Sequence, residues 1–191
     1  MRNPDVNETL DSWSILHRLY GFDRRRWAAL PAERRTAVTR EAQAYLAGLA
    51  EDPDHDLAPV QVLGTKGDLM LVHYARDFEE LARTEMCVDA LALNDYLTPR
   101  SSYVSVLELG LYDASAKIHA QLRERELKPY SPAWHQAFDE LMAQQADGAA
   151  TRLWGRIPRR RFYCFYPMDK RRGEHVNWYA LSYEERQALM R

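Results

Sequence analysis

The chain has 191 residues and an apolar content of 46%, enough to fill the core of one large domain or two small ones. Its 26 Lys plus Arg stand against 28 Asp plus Glu, a formal net charge of -2. That balance excludes a general nucleic-acid binder, whose phosphate partner demands a clear basic excess.

The N-terminal run "MRNPDVNETLDSW" contains no apolar stretch, so no secretory signal is expected. Nowhere does the sequence approach the roughly 20 apolar residues of a membrane span. The two cysteines, Cys87 and Cys164, sit in no metal or disulfide spacing. Together these features predict a soluble protein of the reducing cytoplasm, with no membrane span and no nucleic-acid partner.

"SWSILHRLY" alternates Trp13, Ile15, His17 and Leu19 against Ser14, Leu16, Arg18 and Tyr20, the period of a strand. From 24 to about 50 the spacing of Trp27, Leu30, Val38, Tyr45, Leu46 and Leu49 predicts a helix, with Pro31 dividing a short first turn from the rest. "EDPDHDLAP" reads as a polar loop. "QVLGTKGDLMLVHY" reads as one or two strands, with Gly64 and Gly67 marking a turn. Asp77 with Glu80 predicts a capped helix on Phe78, Leu81 and Ala82. "SSYVSVLELGLY" alternates again and predicts another strand. A long helical region follows from about 114 to 151, interrupted at Pro129 and Pro132. The aromatic run 162–166 predicts a further, buried strand, and Ser182 with Glu185 a second capping box opening a last helix.

This order predicts an α+β fold, a ferredoxin-like antiparallel sheet with helices on one face. Residues 1–112 would form the first such repeat, 113–160 a helical connection, and 161–191 the first strand and helix of a second repeat left incomplete.

Cations cluster at Arg24 to Arg26, Arg159 to Arg161 and Lys170 to Arg172, which on a nearly neutral chain points to a discrete anion. The last cluster follows "FYPM". Phenol is protonated at neutral pH, a poor base but an oxidisable group, so Tyr166 is a candidate redox residue. Pro167 fixes the backbone after it, and Met168 offers a polarizable surface for a flat ligand. Lys170 can meet one carboxylate as a point charge, and Arg152 another through its fork. On the residue pattern alone a second reading stays open: Tyr166 as a core tyrosine, and Lys170, Arg171 and Arg172 as a solvated turn. His17, His73 and His119 read as packing or surface residues, and no histidine spacing suggests a metal site. There is no P-loop, Rossmann fingerprint or hydrolase elbow.

"CFYPMDKRR", followed by "NWY" and "EERQALM", resembles the coproheme decarboxylases of the chlorite dismutase family. "WSILHRLYGFDRRRW", "GDLMLVHYARDFEEL" and "SYVSVLELGLY" are similar to the family's earlier strands and helix starts. The resemblance implies two ferredoxin-like repeats pairing into an α/β barrel, in a homo-oligomer of five subunits. It implies oxidation of two propionates of Fe-coproporphyrin III (coproheme, both substrate and redox cofactor) to vinyl groups by hydrogen peroxide, giving haem b. Tyr166 would carry the radical, Lys170 would hold a reacting propionate and Arg152 another propionate, and Pro167, Met168 and Asp169 would fall in the porphyrin-contacting turn. Tyr112 matches a further contact only weakly. His175 reads as a rim residue, and the family's iron-ligating histidine is expected just beyond Arg191, so no metal ligand is assigned within the chain. The alternatives are a chlorite dismutase-like haem peroxidase and a haem-binding remnant without turnover.

Overall fold

The computed structural model describes residues 8–190. In chain order they form β1 (Thr9–Phe22), α1 (Arg24–Ala28), α2 (Ala32–Glu51), β2 (His55–Gln61), β3 (Leu69–Ala75), α3 (Phe78–Asp89), β4 (Leu97–Gly110), α4 (Tyr112–Glu124), α5 (Pro132–Leu153) and α6 (Tyr183–Leu189). Short 3-10 turns lie at Ala92–Tyr96 and Trp178–Ala180. The chain divides into two compact units, one of Ser12–Leu107 with Arg156–Tyr163, the other of the described residues within 1–11, 108–155 and 164–191.

The four strands make one sheet in the order β2-β3-β1-β4. β1 runs antiparallel to β3, from Ser14 opposite Ala75 to Tyr20 opposite Leu69, and β3 antiparallel to β2, from Ala75 opposite His55 to Leu69 opposite Gln61. Strand, helix, two strands, helix and strand in that order form the split ferredoxin-like arrangement. The expected α+β class is therefore the observed one.

Successive residues of β1 point to opposite faces, and both faces are used. Leu16 packs with Ala75 and Leu81 of α3, and Tyr20 with Leu71, Val88 of α3, and Tyr45 and Leu46 of α2. Both helices thus cover the same face. Leu19 on the opposite face joins Met70, Val72, Ala58 and Ile157. Each buried Leu or Ile contributes about 1.5–3 kcal/mol. Helix starts follow the sequence signals. Pro31 stands immediately before α2 without a side-chain capping bond, and the Asp77 side chain caps α3 by accepting from the Glu80 amide at 2.8 Å. Gly64 sits in the β2–β3 turn at φ 96°, where other residues are strained. Gly67 approaches the Tyr20 carbonyl so closely that a Cβ would lie 3.1 Å from it.

The expected polar loop before Gln61 is instead β2, with His55, Asp56, Leu57 and Ala58 buried. Asp56 is fully buried because distant groups neutralise it. Its carboxylate accepts from Arg159 Nη2 at 2.7 Å, from the Ile157 amide at 2.7 Å and from the Leu57 amide at 3.0 Å. Arg156 and Arg159 also donate to the carbonyls of His55, at 2.6 Å, and Leu57, at 3.2 Å. Pro59 is tolerated because β2 lies at the sheet edge. His73 is a packing residue, as expected. Its Nε2 lies 3.1 Å from His55 Nδ1, and burial pushes its pKa down to about 4, with His55 and then Arg18 adding to the shift.

In the other unit α4 and α5 pack through Ile118, Leu122, Trp134, Ala137, Phe138 and Leu141. The rings of Trp134 and Phe138 stack 5.3 Å apart. Ser131 caps α5 by accepting from the Trp134 amide at 3.2 Å, with Pro132 in the first turn where no donor is lost. His119 is buried here among aromatic rings, again a packing residue.

The expected buried strand at 162–166 is not formed. Residues 162–171 belong to no strand, and the region's β-pairing among the described residues is a single bridge between Arg172 and Asn177. Phe162 is 77% exposed, Tyr166 62% and Met168 80%. Aromatic alternation becomes a strand only against a ladder partner, because β-propensity largely measures packing on neighbours. The helix expected after it does form as α6, with Ser182 and Glu185 making both hydrogen bonds of a capping box.

Candidate functional site

The six expected site residues fall in the same compact unit. Arg152 lies exposed in the last turn of α5, where the helix dipole favours a cation. Tyr166, Pro167, Met168, Asp169 and Lys170 lie exposed along the run between residue 164 and the basic cluster. No hydrogen bond or ion pair joins Arg152 to the other five.

The basic cluster is more organised than its sequence suggests. From Arg171 to Trp178 the chain folds into a small hairpin. The Trp178 amide donates to the Arg171 carbonyl at 2.9 Å, and the Gly173 amide to the Val176 carbonyl at 2.9 Å. Asn177 closes it, its side chain accepting from the Tyr179 amide at 3.0 Å. One arm carries the cations and the other carries two rings. Lys170 Nζ lies 4.5 Å from the Trp178 ring centre, and the Arg172 guanidinium 4.0 Å from that of Tyr179. Such contacts contribute about 0.5–1 kcal/mol at exposed positions. A hydrogen bond with Tyr179 pushes the Arg172 pKa above its ordinary value, with smaller help from Asp169. Within the described residues, neither Lys170 nor Arg172 has a carboxylate at ion-pair distance.

α6 is tied to the same unit by Tyr183, whose hydroxyl donates to the Tyr112 carbonyl at 3.5 Å. His175 is exposed in the hairpin turn. No group of three or more His, Cys, Asp or Glu side chains is arranged around a metal position among the described residues. The roles of Trp178 and Tyr179 as rests for the cations went unread in the sequence. The alternation of Lys170 and Arg172 with two aromatics eight and seven residues later is the signal that could have found them.

Chemically, the run offers exposed aromatic and thioether surface at Phe165, Tyr166 and Met168, immediately beside cations whose donors face no protein carboxylate among the described residues. That donor set fits a flat, apolar ligand with carboxylate arms, and Tyr166 is an exposed phenol within it.

The sequence profile described as "Chlorite dismutase" matches residues 34–191. The chain belongs to the chlorite dismutase family. It is 35% identical over 186 residues to the coproheme decarboxylase of Staphylococcus carnosus (strain TM300), covering 96% of this chain and 66% of that protein. It is 34% identical over 193 residues to the coproheme decarboxylase of Staphylococcus saprophyticus, covering 98% of this chain and 68% of that protein. The chain thus spans about two thirds of the length of these curated relatives. Among solved structures, a heme-binding protein from Thermus thermophilus superposes with a TM-score of 0.73 at 30% identity, covering all of this chain and 68% of that one. Chlorite dismutase family membership thus rests on the sequence profile and the curated relatives. No described helix is long and apolar enough to cross a membrane.

Proposed function

We propose that this chlorite dismutase family chain carries out, or forms the larger part of a protein that carries out, oxidative decarboxylation of coproheme to haem b with hydrogen peroxide. The observation that carries the reading is the exposed Tyr166–Met168 surface ending in ring-seated cations without protein counter-charges among the described residues, in a chain whose relatives are named coproheme decarboxylases. Four carboxylates of one porphyrin are costly to bury unpaired, so a pocket for it needs several cations beside apolar walls. Arg152 and Lys170 hold two of them. Met168 and Pro167 lie against the macrocycle, with Asp169 in the same turn.

The reaction balances as follows. Each propionate arm, one hydrogen peroxide and one proton give a vinyl group, carbon dioxide and two waters. The substrate's own iron, when bound, supplies the route by which peroxide accepts two electrons. Tyr166, after losing an electron and its phenolic proton, takes a hydrogen atom from the propionate arm beside it. Loss of a second electron and of carbon dioxide leaves the vinyl group, and the phenol is restored. Proximity is what the turn supplies, because hydrogen abstraction demands near-contact. The protein is further proposed to be a cytoplasmic homo-oligomer, five subunits by family likeness, with residues 161–191 opening a second repeat and no iron ligand assigned within the chain.

Tyr166→Phe tests the radical role. The ring and its packing remain, so coproheme binding is expected to match wild type while haem b formation stops. Normal turnover in this variant would remove Tyr166 from the chemistry.

A further inference from the structure

We infer that Arg172, seated on the ring of Tyr179, is a further carboxylate-binding residue of this site and sets its preference for a tetracarboxylate over a dicarboxylate porphyrin; the inference rests on the coproheme reading above.

The argument starts from what holds the side chain. An exposed arginine ordinarily samples many rotamers, and fixing it costs rotamer entropy. Here the guanidinium lies 4.0 Å from the Tyr179 ring centre, and the backbone that carries the ring is held by the Asn177 side chain accepting from the Tyr179 amide and by the hairpin bridge between Arg172 and Asn177. A guanidinium has five N–H donors, so a contact with one ring leaves enough of them for a carboxylate to take two. An ion pair with a protein carboxylate would have used those donors. Among the described residues no acidic side chain lies within ion-pair distance of Arg172. A guanidinium stays charged at any working pH, so the cation is permanent.

Lys170, two residues earlier on the same hairpin arm, is held over Trp178 in the same way. Two ring-seated cations side by side exceed what one arm requires. A ligand gives two of its carboxylate arms to Arg152 and Lys170 on the reading above. One with four leaves arms that need a further donor, and Arg172 is the pre-positioned one. Arg171 between them has its carbonyl engaged by the Trp178 amide, but among the described residues no ring seats its side chain. It therefore serves as a charge-matched control.

The test compares binding of coproheme and of haem b, by absorbance titration, to the full-length protein and to its Arg172→Met and Arg171→Met variants. Methionine keeps the length and the contact with Tyr179 but removes the fork. Both variants lose the same single charge. Arg172→Met is expected to bind coproheme about tenfold to a hundredfold more weakly and haem b within about twofold of wild type, the size of one charge-assisted pair. Arg171→Met is expected to leave both unchanged. Tyr179→Leu, which removes the rest but not the cation, is expected to fall between, and Tyr179→Phe to stay near wild type. A wild type that binds coproheme while Arg172→Met binds it equally well overturns the clamp alone. Equal loss for both porphyrins, or an equal effect of Arg171→Met, overturns the selectivity. A wild type that binds neither porphyrin overturns the coproheme reading and the clamp with it.

Discussion

Replacing Asp56 by Ala isolates the long-range fastening that defines one of the compact units. The carboxylate is 0% exposed and joins β2 to the segment Arg156–Tyr163, about a hundred residues away in sequence. Its loss orphans the Ile157 and Leu57 amides, in residues only 3% and 2% exposed, at about 1–3 kcal/mol each. Arg159, whose side chain is 58% exposed, rehydrates and adds little. The expected total is about 3 kcal/mol. For a chain of this size that lowers Tm by about 6–12 °C. Asp56→Asn retains one carbonyl oxygen as acceptor and should lose about half as much. Urea unfolding followed by circular dichroism, with calorimetry for Tm, gives both values. An alanine variant within 1 kcal/mol of wild type, about the size of a single ordinary hydrogen bond, would refute the reasoning. So would an asparagine variant as damaged as the alanine one.

His73 is buried with its pKa near 4, below its value in the unfolded chain, so the unfolded state binds the extra proton. Stability from this residue is complete above about pH 6.5 and is lost as pH falls toward 4, with His17 and His119 shifted the same way by burial; NMR titration should find His73 still neutral at pH 5.5. Ser182→Ala removes one half of the capping box and should cost α6 about 1 kcal/mol, seen as faster amide exchange across 183–189 with little change in Tm. Arg152→Ala and Lys170→Ala should each weaken coproheme binding about tenfold to a hundredfold, or stall the reaction after one arm, as product ratios by mass would show.

The sequence made much of the fold legible wherever the signal was local. Trp13, Ile15 and Leu19 share one face of β1 because successive residues point to opposite faces, although the strand expected to be half-buried buries both, Pro31 and Pro132 stand where helices begin, and Asp77 and Ser182 cap as their spacing requires. It misled where the deciding partner was distant. "DPDHDLAP" looks like a loop because Asp56 is charged, and only Arg159 and the Ile157 amide make its burial tolerable. The run 162–166 looks like a strand because it is aromatic, yet a strand also needs a neighbour that no local pattern supplies. The site divides in the same way. Tyr166, Met168 and Lys170 stand out by chemistry and resemblance. The seating of Lys170 on Trp178 and of Arg172 on Tyr179 depends on a hairpin geometry that residue types alone do not specify.

The most direct measurement of the central claim is the mass of the porphyrin recovered after coproheme and hydrogen peroxide are added to the full-length protein. The account predicts stepwise loss of carbon dioxide and two hydrogens from each of two arms, ending at the mass of haem b, in step with peroxide consumed and abolished in Tyr166→Phe. Recovery of coproheme at its starting mass, or of oxidised macrocycle fragments with both propionates intact, would contradict it.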